Sequence, residues 1–142
     1  MRNRSGMTLI ELLAAIGLFW LLLLGLAPGL QSFFARLEAR SALRAVTSGL
    51  STARYTAIRD NQPVRVEIAA NRLLLSQESG AQWREVRRFD LGDKVSVSAN
   101  SRPVFSPLGS ASPLCTVTLK NRERVCRVVV SMFGRVRVYG NL

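Results

Sequence analysis

The stretch Gly6-Met7-Thr8-Leu9-Ile10-Glu11-Leu12-Leu13-Ala14-Ala15-Ile16-Gly17-Leu18-Phe19-Trp20 opens a long apolar run, and over residues 7–34 its one ionisable side chain is Glu11. A carboxylate deep in a bilayer helix costs roughly 2.5–3.5 kcal/mol on insertion scales. Either Glu11 snorkels to the interface of an ordinary signal anchor, where that cost falls, or a cationic group compensates it. The run exceeds the 7–15-residue core of a secretory signal, and no A-x-A-like site follows it. It therefore reads as an anchor retained on the mature chain. Charge alone leaves the orientation open, because Arg2 and Arg4 precede the run while Arg36, Arg40 and Arg44 follow it.

Downstream, Leu30, Phe34, Leu37, Leu43, Val46, Leu50, Ala53 and Ala57 keep mostly three- and four-residue spacings, so the helix is expected to continue as an amphipathic one. Pro28 between Gly25 and Gly29 removes a hydrogen bond and lowers propensity, which predicts a kink there. Arg36, Arg40 and Arg44 form a stripe that either meets water and headgroups or faces acidic groups on a neighbour. Asp60-Asn61-Gln62-Pro63 ends the helix, and the period changes to two, with Val64, Val66 and Ile68 alternating with Arg65 and Glu67. Strand-like runs follow at 73–76, 83–89, 95–97, 104–105, 115–119 and 125–138, separated by Gly, Pro and Asn turn signals. The fold class is α+β, a long helix followed by an antiparallel β domain.

Composition narrows the chemistry. The 142 residues leave room for one small domain beside the anchor. The formal charge is +11, and 18 of the 20 basic residues are Arg, a bias that suits polyanion contact or reflects a GC-rich genome. With no His, two Cys and no clustered carboxylates, the chain lacks the usual makings of a metal site, a Ser-His pair or a two-acid hydrolytic site. Gly109-Ser110-Ala111-Ser112 runs into Pro113, so it is not a nucleotide loop. Neither an enzyme nor a cofactor, metal or small-molecule substrate is expected.

Gly6 followed by Met7, Thr8, Leu9, Ile10, Glu11 and the apolar run resembles the class III signal of type IV pilins and pseudopilins. The resemblance implies cleavage after Gly6 by a prepilin peptidase and methylation of the new terminus at Met7, although Phe is usual there. It further implies a cytoplasmic N-terminus and a Glu11 that pairs with a terminal amine as subunits enter a filament. A second resemblance narrows the first. Ala53-Arg54-Tyr55-Thr56-Ala57-Ile58-Arg59-Asp60-Asn61 leading into Val64-Arg65-Val66, then Phe105-Ser106-Pro107-Leu108-Gly109, and then Val128-Val129-Val130-Ser131 before Gly134-Arg135-Val136-Arg137, are similar to the GspH/FimT family. Thr56 stands where that family carries a glutamate. Membership implies a leader over 1–6, a transmembrane and filament-core helix over 7–34, an amphipathic periplasmic helix over 35–61, and a β domain over 62–142 packed on that helix. It implies a minor pilin of a type IV pilus or, alternatively, a minor pseudopilin of type II secretion, with other such subunits, the peptidase and the inner membrane as partners. A basic signal-anchored periplasmic adaptor that never polymerises is a third reading.

Two features remain. Cys115 and Cys126 lie symmetrically about Lys120-Asn121, so a hairpin turning there sets them opposite each other with Cα atoms about 4.5–5.5 Å apart, inside disulfide range. An oxidising periplasm favours the bond, and the alternative is two small buried hydrophobes. At the C-terminus, alternation places Val136 and Val138 on one face and Arg135, Arg137 and Tyr139 on the other. Gly134-Arg135-Val136-Arg137 fits a terminal element that the resemblance associates with DNA binding among DNA-uptake pilins, with Arg122, Arg124 and Arg127 as auxiliary contacts. The same face could instead simply meet water.

Overall fold

The computed structural model describes residues 8–69, 71–80, 82–93, 95–121 and 124–140, with backbone alone at 24, 26–32 and 124. The chain divides into two compact units, Met1–Phe34 and Ala35–Leu142. One α-helix, α1 (Leu9–Asp60), contributes to both. It begins where the Thr8 carbonyl accepts hydrogen bonds from the Glu11 and Leu12 amides at 3.1 and 3.2 Å. Thr8 and Glu11 have the spacing of a capping box, and a carboxylate in the first turn complements the positive end of the helix dipole. Helix α1 runs unbroken through Gly25–Gly29, so Pro28 does not end it.

The C-terminal end is built as the sequence anticipates. Asn61 takes φ 51°, and the Gln62 amide donates to the Ala57 carbonyl at 3.2 Å, the six-to-one bond of a Schellman cap. Asp60 then accepts two hydrogen bonds from Arg59 at 2.6 and 3.0 Å and one from Gln77 at 3.2 Å. Those bonds, Arg59's foremost, hold the Asp60 carboxyl below its ordinary range.

Among the described residues, nine strands follow in two antiparallel sheets. The first contains β1 (Val64–Ala69), β2 (Arg72–Ser79), β3 (Gln82–Asp90), β5 (Val104–Phe105) and β6 (Ala111–Ser112) in the order β3-β2-β1-β5-β6. The second contains β4 (Ser96–Ala99), β7 (Cys115–Asn121), β8 (Arg124–Val130) and β9 (Val136–Tyr139) in the order β4-β7-β8-β9. Period-two alternation gives each sheet one apolar face. Val64 and Val66, Leu73 and Leu75, Val117 and Leu119, and Val128 and Val130 are all buried. Full burial of side chains of this kind contributes about 1.5–3 kcal/mol each, which makes this shared layer the main source of stability.

In the Ala35–Leu142 unit, α1 closes that core with Ala39, Ala42, Val46, Leu50, Ala53 and Ala57. The stripe differs from the expected one at its start. Leu37 is exposed, and the small Ala39 and Ala42 turn inward. Small residues let the helix approach the sheets closely. A Cβ at Gly49 would lie 2.8 Å from Leu73 Cδ2.

The exposed edge strand β3 is protected by charge. It carries Arg84, Arg87 and Arg88, and the register with β2 shifts between Leu75 and Ser76. Arginines and a bulge both discourage strand addition at an open edge. Arg88 pairs with Glu85 at 2.9 Å, and Arg65 lies 4.0 Å from the Trp83 ring centroid, so part of the basic excess is spent internally.

Candidate nucleic-acid interface

The expected single run at 125–138 is two strands. After Val130 the chain turns, with the Gly134 amide donating to the Ser131 carbonyl at 2.8 Å and the Ser131 amide donating to the Arg135 carbonyl at 3.0 Å. The Arg135 amide also donates to Ser131 Oγ at 3.2 Å. β9 then pairs with β8 in the register Val130↔Val136, Val129↔Arg137, Val128↔Val138 and Arg127↔Tyr139.

That register decides which side chains share a face. Val136 packs against the core, whereas Arg135, Arg137 and Tyr139 alternate onto the solvent side. Arg127, opposite Tyr139, joins them, and Lys120 follows on the next strand, two residues beyond Thr118, the β7 partner of Arg127. Val129, Ser131, Phe133, Arg135, Arg137 and Tyr139 line a shallow groove of about 260 Å³. Ion pairs among the described residues join Arg59 to Asp60, Arg88 to Glu85 and Arg102 to Glu67, and none takes an arginine of this groove. Two guanidiniums one strand-repeat apart sit roughly 6.8 Å apart at the backbone, a spacing that suits a chain of phosphates.

Gly134 is what allows the turn. Its φ is +68°, and a Cβ there would come within 2.1 Å of the Gly109 carbonyl oxygen and 3.0 Å of Arg54 Nε. Gly109, with φ +80°, is crowded too, by side chains, because its Cβ would lie 2.9 Å from Ile58 Cδ1 and 3.2 Å from Arg54 Nε. The Ala111 amide donates to the Met132 carbonyl at 2.9 Å, tying the same two turns together. Helix α1, the β5–β6 turn and the β8–β9 turn thus meet around Arg54, a role the sequence reading did not assign. The one hint in the sequence is that the helix-end, Phe105–Gly109 and final-strand motifs carry Arg54, Gly109 and Gly134.

The disulfide expectation is overturned. Cys115 and Cys126 are both buried free thiols. Pairing runs out to Asn121↔Arg124, so Cys115 faces Val130 and Cys126 faces Leu119. The hairpin turns two residues later than Lys120-Asn121, and each residue of delay moves the partner by two. The cysteines therefore share the inner face but stand four residues apart along it, about 13 Å at the usual strand rise and far beyond bonding reach. Burial raises both thiol pKa values.

Gly6, Met7 and Arg122 lie outside the described residues, as does the side chain of Arg124. Glu11 is exposed in the first turn of α1. Among the described residues no helix is long and apolar enough to cross a membrane, and the expected bilayer segment at 7–34 falls partly outside them. The described residues also hold no group of three or more potential metal ligands among His, Cys, Asp and Glu.

A long N-terminal helix leading into an antiparallel sheet domain is the pilin class of fold, and solved structures bear this out. The minor pseudopilin EpsH of the Vibrio cholerae type II secretion system matches with TM-score 0.60 at 15% identity, covering 75% of this chain and 96% of that one. The Pseudomonas aeruginosa type IV minor pilin FimU matches with TM-score 0.58 at 14% identity, over 70% of this chain and 90% of that one. No curated protein sequence matches the chain. The family model for type II transport protein GspH matches residues 42–134, and that for the prokaryotic N-terminal methylation motif matches residues 1–27. The chain belongs to the GspH family, and is a minor pilin or pseudopilin of a type IV pilus or type II secretion system. That family is structural, and membership implies processing by a prepilin peptidase and assembly with other such subunits.

Proposed function

We propose that this chain is a minor type IV pilin that captures double-stranded DNA on the outer face of β8 and β9. In this reading the leader is removed after Gly6, Met7 is methylated, and residues 7–34 anchor the chain in the inner membrane with the sheet domain in the periplasm. Glu11 pairs with a terminal amine as the helix enters the filament, which resolves the cost of an acid in an apolar run. The chain takes no catalytic part.

The observation that carries the DNA reading is the groove in which Arg135 and Arg137 have no acidic partner among the described residues, with Arg127 across from Tyr139. Backbone phosphates satisfy such a surface without base readout, so binding has little sequence preference and depends steeply on salt, with a log–log slope of about −0.9 per phosphate contacted. In the full chain in detergent, Arg135→Gln with Arg137→Gln should reduce that slope by about two while the melting temperature barely moves, because exposed arginines contribute little to folding. A parent that fails to bind DNA at low salt, or a double variant that binds like the parent, would favour the second reading. That reading is a type II secretion pseudopilin whose basic face is solvated, and the GspH match over 42–134 favours it.

A further inference from the structure

Arg54 is costly to keep where it is. Its Nε is buried without a hydrogen-bond partner, and no ion pair among the described residues involves it. A buried donor left unpaired is destabilising, most of all on a charged group. The guanidinium is nonetheless held in place against Gly109 and Gly134, whose Cβ positions would lie 3.2 and 3.0 Å from Nε. Beside it a groove of about 340 Å³ opens between α1 and the β8–β9 turn, lined by Ser51, Arg54, Tyr55, Ile58, Gly134 and Val136.

Apolar groups line it and adjoin it in the chain. Tyr55 is 65% exposed and Ile58 47% on the helix wall, while Leu108, 92% exposed, precedes Gly109 and Phe133, 68% exposed, precedes Gly134. Large apolar side chains gathered on three converging segments mark a protein-binding surface more than a phosphate site. An ordered arginine within an apolar surround is the composition of an interface hot spot, and its planar fork matches a carboxylate. We infer that this groove receives an acidic side chain, flanked by apolar residues, from a different subunit of the same filament. The inference rests on the reading that the chain enters a filament. Prior ordering of Arg54 removes part of the entropic cost of docking, and the incoming carboxylate supplies a charge partner that no described residue provides.

The test uses the full chain in its own cells. A photocrosslinker in place of Tyr55 should link to one segment of another subunit, and mass spectrometry should find an Asp or Glu in that segment. Arg54→Glu should lower recovery in sheared filaments at least tenfold, and replacing the identified acid by Arg should restore it. Crosslinks confined to a second copy of this chain, crosslinks to a segment without an acid, or Arg54→Gln entering filaments like the parent would each overturn the inference. Should the Arg54 variants melt early, Tyr55→Ala carries the test, because this exposed side chain can be lost without disturbing the core. Several-fold lower incorporation at an unchanged melting temperature is expected, and parent-like incorporation overturns the inference. A parent found in filaments without crosslinks sinks the groove alone, whereas a parent absent from filaments sinks the pilin reading with it.

Discussion

Gly134→Ala isolates the contact that fixes the basic turn. Two costs act together. An L-residue at φ +68° loses about 1–2 kcal/mol in the left-handed region. The new Cβ would also stand 2.1 Å from the Gly109 carbonyl oxygen, so one of the two turns must retreat by roughly 1 Å, and forced displacement of this kind costs typically 1–3 kcal/mol. The expected loss is about 2–5 kcal/mol, equivalent to about 10–25 °C for a unit of this size. Gly80→Ala is the control, because Gly80 has φ +64° with nothing within 4 Å of its Cβ, and it should lose only the backbone part. Thermal unfolding of the full chain in detergent, followed by near-ultraviolet circular dichroism, reads both. Equal losses in the two variants would refute the contact between the Gly109 and Gly134 turns, and with it the account of why Arg135 and Arg137 stand where they do.

Native protein should show no thiol accessible to a labelling reagent and two after unfolding, with a melting temperature indifferent to reductant; a reductant-sensitive melt would restore the disulfide. Because burial raises both thiol pKa values, stability should decline as pH climbs above 9.0, where unfolded thiols ionise and buried ones do not. On the acid side, Asp60's folded-state pKa is depressed chiefly by its bond to Arg59, so its contribution is full above its ordinary value of 3.8 and vanishes as pH falls through the lowered one. Asp60→Asn should flatten stability against pH as pH falls below 3.8, and an unchanged slope would discount that pair. Glu11→Val should leave membrane insertion intact and abolish entry into filaments, whereas normal entry would favour the plain signal anchor.

Local rules made some of this legible. Asp60-Asn61-Gln62-Pro63 announced the end of α1 because left-handed Asn61 and the following proline are local devices, and Val64 to Ile68 announced β1 by alternation. Pairing register is not local. The Lys120-Asn121 symmetry pointed to the wrong turn, and an error of two residues separated cysteines that had looked apposed. The run at 125–138 read as one strand because Val and Arg alternate on both sides of the turn, which is set by hydrogen bonds from Ser131. The helix face was misjudged at Leu37 because apolar size favoured it, whereas close packing on the sheet selected Ala39 and Ala42. Arg54 was invisible as a site because its neighbours Gly109 and Gly134 lie far away in sequence.

Mass spectrometry of the N-terminal peptide of the chain recovered from membranes and sheared filaments tests the central claim most directly. A peptide beginning at N-methylated Met7 in both fractions is predicted, with Gly6→Val leaving the precursor uncut. An intact residue 1, or a cut beyond Leu30, would contradict processing and filament entry alike.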